Sequence, residues 1–261
     1  MATKKTPKYA SINEVSNLNP KTNKRSAARR PDTSPYVCSN KKQGLSFNID
    51  CKIPWTEKQL DFFDLVADKE CKVIFISGPA GVSKTLISVY TSLLLLKEKK
   101  VSEIVYVRTA IESASKSLGA LPGTLDEKLS VYIEPILDKL EEIIGKENSK
   151  NLLERGLVTA RPINYLRGCQ FSSKAIIFDE AQNSTMSEMT TFLTRIGEFS
   201  KIFICGDPSQ ADIRDSSFEK TLRLFDNIEA EDNGIFIFEF DEEDILRSEI
   251  LKFIVKRLKQ A

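Results

Sequence analysis

Three short stretches of this chain carry residue types whose spacing suits phosphoryl chemistry. The first is Gly78-Pro79-Ala80-Gly81-Val82-Ser83-Lys84-Thr85. Glycines at 78 and 81 let a backbone curl until its N–H groups face an anion, and a helix starting behind them adds its dipole. In the phosphate-loop pattern G-x-x-x-x-G-K-[ST] the lysine reaches the β- and γ-phosphates and the hydroxyl serves magnesium. Residues 78–85 are therefore the expected nucleotide-binding loop, with Lys84 for ATP and Thr85 for Mg2+. One position departs from the pattern: Ser83 stands where glycine is expected. A side chain there either crowds the loop and weakens nucleotide binding, or is tolerated at a helix start. An accidental glycine-rich turn is the plain alternative. The order of strand, loop, Lys-Thr and helix argues against it.

The second stretch, Ala175-Ile176-Ile177-Phe178-Asp179-Glu180, sets an apolar run before two carboxylates and so places them at a strand's carboxyl end. Asp179 would hold magnesium, directly or through its water, and Glu180 would orient and activate an attacking water. An acidic turn after a strand is common on its own. About 90 residues beyond a phosphate loop it reads as the other half of an ATP–magnesium site. The third stretch is Ile204-Cys205-Gly206-Asp207-Pro208-Ser209-Gln210. As bare residues it is a turn; in this company Gln210 is a candidate sensor of the γ-phosphate.

Such residues need a scaffold that gathers strand ends. Thr56 can cap a helix running to about Ala67, with Leu60, Phe63 and Leu65 among its apolar positions. Val73–Ser77 is a β-branched run, followed by the loop and a helix over Lys84–Lys99. Ile104–Arg108, Gly156–Ala160, Lys174–Phe178, Lys201–Cys205 and Ile235–Phe240 read as further strands. Residues 126–145 form an amphipathic helix kinked at Pro135, and Glu242–Lys259 a closing helix. Short apolar strands alternating with helices predict an α/β fold, an open and mostly parallel sheet with helices on both faces. Ligands of such sheets sit at the carboxyl ends of the strands, where all three stretches fall.

Composition narrows the chemistry. The chain of 261 residues has 38 Lys+Arg against 37 Asp+Glu and no histidine. Without histidine, Ser-His and Cys-His nucleophiles, His-ligated metals and His pH switches are all excluded. Cys38, Cys51, Cys71, Cys169 and Cys205 are scattered, with no CxxC spacing. Neither a zinc site nor a disulfide framework is expected, and a reducing, cytoplasmic compartment fits. The longest apolar run, Leu86 to Leu96, is too short to span a bilayer, and no apolar signal region opens the chain. Residues 1–45 are basic and lack apolar periodicity. They are expected to be a disordered tail, either merely solvated or an arm touching nucleic acid through Lys21, Lys24, Arg25, Arg29 and Arg30. Residues 46–261 are expected to form one domain.

A family resemblance adds to this reading. Arg167-Gly168, Ile177-Phe178-Asp179-Glu180-Ala181-Gln182-Asn183, Phe192-Leu193-Thr194-Arg195-Ile196-Gly197, Ser200-Lys201 and Gly206-Asp207 together resemble the PhoH family, as does the turn Leu118-Gly119-Ala120-Leu121-Pro122-Gly123. That family comprises RecA-like P-loop ATPases close to superfamily 1 helicases, and the likeness covers roughly residues 53–258. It implies that Gln59 contacts adenine, and it matches Asp244-Ile245-Leu246-Arg247 to an Asp-x-x-Arg motif. Arg247 would then act as an arginine finger, although a charged helix face is an equal reading. A single RecA-like domain needs its second catalytic surface from another subunit, so the resemblance implies a homo-oligomeric ring, a hexamer. By likeness to helicases, Arg108, Thr109 and Lys116 after the second strand would contact single-stranded RNA or DNA. Tyr165, between Arg161 and Arg167, would stack a base; Arg167 serves equally well as a fold or interface residue.

The reading is an ATP-hydrolysing, magnesium-dependent ATPase acting with single-stranded nucleic acid, cellular or phage-encoded. Lys84, Glu180, Gln210 and Arg247 are its candidate catalytic residues, and Thr85 and Asp179 its metal ligands. Two other classes remain. One is a nucleotide-binding switch with little turnover, its loop blunted by Ser83. The other is a small-molecule kinase, which the helicase-like Asp179-Glu180-Ala181-Gln182 and the lack of an arginine-rich lid disfavour.

Overall fold

The computed structural model describes residues 47–49, 53–109, 125–166, 168–245 and 249–258. Six strands, β1 (Val73–Ser77), β2 (Glu103–Arg108), β3 (Val158–Pro162), β4 (Lys174–Asp179), β5 (Lys201–Gly206) and β6 (Ile235–Glu239), form one sheet in the order β3-β2-β4-β5-β1-β6. All five pairings are parallel. The strands therefore end together at one edge, and β5 separates β1, which leads into the phosphate loop, from β4, which leads into Asp179-Glu180.

Both faces of the sheet are covered, so its central strands β1, β2, β4 and β5 read as apolar runs, while the edge strand β3 (VTARP) alternates. Alternate residues go to opposite sides. Ile74, Ile76, Tyr106, Ile177 and Phe203 face one core, and Phe75, Val107, Ile176, Phe178 and Ile204 the other. The first core is closed by α1 (Glu57–Ala67), α2 (Lys84–Lys97), α3 (Leu125–Ile144) and α4 (Lys146–Glu154). The second is closed by α5 (Met186–Leu193) and α6 (Ser217–Phe225). A short α7 (Ile228–Asp232) leads into β6, and α8 (Glu249–Leu258) closes the described chain. The result is the three-layer α/β arrangement of P-loop proteins.

Local chemistry explains the elements that hold the site. A reciprocal capping box starts α1: Thr56 Oγ1 accepts from the Gln59 N–H at 3.2 Å, and Gln59 Oε1 accepts from the Thr56 N–H at 3.1 Å. Its other end is held by Lys201, whose ammonium donates to the carbonyls of Val66, Asp68 and Cys71. Residues 86–96 of α2 are all buried, and the hydroxyls of Ser88, Thr91 and Ser92 donate to carbonyls one turn back. That pairing lets three polar side chains sit inside an apolar core. No helix among the described residues is long and apolar enough to cross a membrane.

Several boundaries differ from the sequence reading. The third strand begins at Val158 because Gly156, at φ 66°, belongs to the turn that ends α4. The second helix stops at Lys97, since Lys99 adopts φ 57°. The helix through Pro135 is continuous over Leu125–Ile144. The closing helix does not begin at Glu242. Asp241 caps a single 3₁₀ turn over Glu242–Asp244, and Ile245 then extends to bury itself against the first core. Four helices, α4 to α7, have no counterpart in the sequence reading.

Candidate functional site: a phosphate loop facing an acidic pair

The loop between β1 and α2 is shaped by close packing. Gly78, at φ 156°, lies against Phe240: a Cβ there would stand 2.8 Å from Phe240 Cβ and 2.9 Å from its carbonyl oxygen. Phe240 in turn donates its N–H to Ser77 O at 2.8 Å, so the segment after β6 forms a wall of the loop. Pro79, Ala80, Gly81 and Val82 complete the curl, with Val82 fully buried. Ser83 caps α2 in the left-handed region (φ 66°, ψ 29°), its carbonyl accepting from the Ile87 N–H and its side chain making no cap. The loop thus takes the backbone that a glycine would give, with a serine in it.

Lys84 reaches back over the loop, donating to Gly78 O at 2.6 Å and Pro79 O at 3.0 Å. Burial pulls its ammonium below the ordinary lysine value, while the charge of Asp207, the Cys205 thiol, Asp179 and Glu180 works in the other direction. Thr85 Oγ1 donates to Asp179 Oδ1 at 3.0 Å. The second oxygen of Asp179 accepts from the Tyr106 hydroxyl at 2.7 Å. Burial, with the adjacent Asp179 carboxylate, raises the Tyr106 phenol and keeps it a donor. Residues that are 94 positions apart in sequence thus share one oxygen-lined point between the ends of β1 and β4.

Glu180 follows at φ 54°, ψ 39°, a left-handed backbone at a non-glycine residue. Its carboxylate accepts from Gln182 Nε2 at 2.5 Å on one oxygen and stands 3.9 Å from Arg108 Nη2 on the other. After β5, Asp207 gathers its own turn: Oδ1 accepts from Ser209 Oγ at 2.6 Å and Oδ2 from Gln210 Nε2 at 2.6 Å. Gln210 therefore lies at the edge of the same cluster, turned onto Asp207. Cys205 lies beneath the loop with its thiol raised by burial and in contact with Ser88 at 3.3 Å.

The other sequence candidates divide. Gln59 is 1% exposed, and while its Oε1 serves the α1 cap, its Nε2 has no hydrogen-bond partner. Arg108 and Arg161 end neighbouring strands, Arg161 opposite Val107 in the β2–β3 register. Arg108 Nε is buried without a partner, and Arg161 contacts the Cys169 thiol at 3.7 Å. Tyr165 is 64% exposed on the 3₁₀ turn after β3. Lys116, Arg167 and Arg247 lie outside the described residues. Sequence reasoning passed over Tyr106 and named Gln182 only as part of the family pattern, with no role. Tyr106 had one signal, being the only residue with a polar tip among the four central positions of β2.

The donor set can be tested against a magnesium ion. That ion takes hard oxygen ligands, usually one or two carboxylates completed by phosphate oxygens and water. Thr85 and Asp179 supply a hydroxyl and a carboxylate at one point, with Lys84 alongside for phosphate charge. The residues present fit a magnesium–nucleotide ligand. An acidic cage is not required for it, and no cluster of three metal-ligating side chains lies among the described residues.

A phosphate loop entering a buried helix, a hydroxyl paired with a strand-end carboxylate and a parallel sheet between them define a nucleotide-binding protein of the P-loop ATPase class. The chain belongs, more narrowly, to the PhoH family: the family model described as "PhoH-like protein" matches residues 53–259. It is 35% identical to the PhoH-like protein of Bacillus subtilis over 192 residues, 74% of this chain and 60% of that protein. It is also 35% identical to protein PhoH of Escherichia coli K12 over 222 residues, 83% of this chain and 56% of the other. The match thus spans little more than half the length of these relatives. Among solved structures, the large terminase of a thermophilic bacteriophage aligns over 78% of this chain and 50% of its own at 12% identity, with a TM-score of 0.46.

Proposed function

We propose that the protein hydrolyses ATP with magnesium, coupled to binding of single-stranded RNA or DNA, and that residues 46–261 act as one RecA-like unit. The observation that carries this reading is the meeting of Lys84, Thr85, Asp179 and Glu180 at the ends of β1 and β4, with Thr85 and Asp179 3.0 Å apart. Thr85 and Asp179 would hold the metal, which when bound neutralises phosphate charge. Lys84 would exchange the Gly78 and Pro79 carbonyls for phosphate oxygens. Its desolvated ammonium is well suited to that exchange, because a buried charge gains more from an anionic partner than a hydrated one. Glu180 would take the proton of the attacking water, and Gln210 would read the γ-phosphate. The unpartnered Gln59 amide supports an adenine contact, since a ring nitrogen would satisfy a donor whose isolation costs about 1–3 kcal/mol.

The nucleic-acid part is supported by Arg108, Arg161 and exposed Tyr165 around the ends of β2 and β3, a cationic and aromatic combination suited to single strands. Arg108 is also 3.9 Å from Glu180, so a strand held there would bear on the water-activating residue. The hexameric ring with Arg247 as arginine finger is part of the same proposal. The second reading, a nucleotide switch with little turnover, would need Ser83 to blunt the loop, whereas the left-handed Ser83 keeps the backbone a glycine would give.

Phosphate release from ATP with magnesium, with and without single-stranded RNA, tests the proposal against Lys84→Ala as the blank. Turnover that rises with RNA and falls at least about a hundredfold in Lys84→Ala is expected. ATP binding without release above the blank would leave the switch in its place.

A further inference from the structure

We propose that Gln182 is a positioning residue for the Glu180 carboxylate and links it to the turn that carries Gln210. The inference rests on the reading of Glu180 as the water-activating base. Gln182 is 2% exposed, and its amide is engaged at both ends. Nε2 donates to Glu180 Oε2 at 2.5 Å, and Oε1 accepts from the Asp207 N–H at 3.2 Å. Only one orientation of the amide satisfies both neighbours, because a carboxylate can only accept and an N–H can only donate. The pair therefore fixes the Gln182 side chain and, through it, one oxygen of Glu180.

A merely structural role, holding the loop after β4 against the loop after β5, is already filled by the next two residues. Asn183 Nδ2 donates to Asp212 Oδ2 at 3.2 Å, and Asn183 Oδ1 accepts from the Asp212 N–H at 2.8 Å. Ser184 O accepts from the Ser217 N–H at 2.9 Å, and the two hydroxyls lie 2.8 Å apart. Of these three successive ties, only the one through Gln182 touches the carboxylate. On the far side, Asp207 accepts from Gln210 Nε2 at 2.6 Å. A γ-phosphate that draws Gln210 away from Asp207 is thus relayed by the Asp207 backbone and the Gln182 amide to Glu180. The presence of the phosphate and the aim of the base are set together.

Two substitutions separate the ends of the amide. Gln182→Glu keeps an oxygen for the Asp207 N–H but turns a second carboxylate onto Glu180, whereas Gln182→Met removes both ends at similar volume. Two carboxylates in contact resist ionising together, so one of them holds its proton to higher pH. Steady-state phosphate release is measured against pH for wild type and both variants, with Glu180→Gln as the blank. In Gln182→Met, kcat is expected to fall about tenfold or more with KM for ATP within about twofold. In Gln182→Glu the acid limb of kcat is expected to move up by about one pH unit or more. That displaced limb is read whether or not Gln182→Met folds. Wild-type kcat and an unmoved limb in Gln182→Glu overturn the inference alone. So does a loss of rate explained by a raised KM and a lowered unfolding midpoint. A wild type that releases no phosphate above the Glu180→Gln blank overturns the ATPase reading, and the inference falls with it.

Discussion

At the residue scale, Ser83 is one of five described non-glycine residues with a left-handed backbone, and the one inside the phosphate loop. A non-glycine residue in the left-handed region costs about 1–2 kcal/mol through the crowding of its Cβ. Glycine would remove that cost but lose about 0.5–1 kcal/mol through the greater freedom of the unfolded chain. The first effect wins, so Ser83→Gly is expected to stabilise the protein by about 0.5–1 kcal/mol, visible as a midpoint rise of about 2 °C. Ser83→Ala keeps the Cβ and should show no such gain, since the hydroxyl makes no cap. Because the loop already holds this backbone, ATP affinity should be the same in Ser83→Gly and wild type by direct titration. A large gain in affinity or turnover would instead show a loop blunted by its serine. The spacing Gly78…Lys84-Thr85 and the pair Asp179-Glu180 were legible because local pattern is enough to place them at strand ends. The partners of Asp179 and Glu180 were not. Tyr106 reaches Asp179 through strand register, which no sequence spacing encodes; Gln182 stood in the family pattern, but its bond to Glu180 belongs to the folded loop.

At the scale of elements, the site depends on how the segment after β6 is pinned against α1. Lys58 on α1 pairs with Asp241 at 2.9 Å and Asp244 at 2.8 Å, next to the Phe240 that walls the phosphate loop. Burial alone would lower the Lys58 ammonium, but hydrogen bonds to Asp244 and Asp241 outweigh it and raise the group above its ordinary 10.5. Burial likewise favours a protonated Asp241, yet bonds from Lys58 and the Glu243 N–H bring the carboxyl below its ordinary 3.8. The signs set the window. The Lys58 contribution is complete below 10.5 and is lost as pH rises through the higher folded value; that of Asp241 is complete above 3.8 and is lost as pH falls through the lower one. Asp241→Asn keeps a capping oxygen for the 3₁₀ turn and removes the charge. The stability difference from wild type should be flat between about pH 5 and 9 and shrink beyond either limit. With Asp241 mostly exposed, it should stay under about 1 kcal/mol. Denaturant titrations across pH decide it; a difference undiminished at about pH 2 would show that the charge plays no part. Element legibility followed burial. Strands buried on both faces declared themselves by continuous Val, Ile and Phe. Helix α4 (KENSKNLLE) did not, because only Ser149 and Leu152 are buried, with Leu153 packed partly against the core. Lys201 was legible as part of a family pattern, but its work of capping α1 belongs to the packed structure.

At the scale of the whole molecule, the phosphate loop and the acidic pair belong to strands that do not touch. β1 and β4 are separated by β5, so the Thr85–Asp179 contact spans the middle of the sheet. A ligand held by Lys84 and Thr85 on one side and Asp179 on the other would therefore tie three strands together, and would have to be released before any of them separated. Its binding free energy should appear in global unfolding and not merely in the loop. At ATP and magnesium about a hundredfold above the dissociation constant, linkage gives about 2.7 kcal/mol. For a domain of this size that is a midpoint rise of about 5–10 °C. Chelation of magnesium should remove most of the rise, because Thr85 and Asp179 then have no shared ion to hold. Lys84→Ala should remove it as well. Amide exchange separates a global tie from a local one: nucleotide should slow exchange in β4 and β5 as well as around residues 78–85. Protection confined to the loop, with an unchanged unfolding midpoint, would mean that nucleotide engages β1 and α2 alone and that the carboxylates after β4 take no part in holding it.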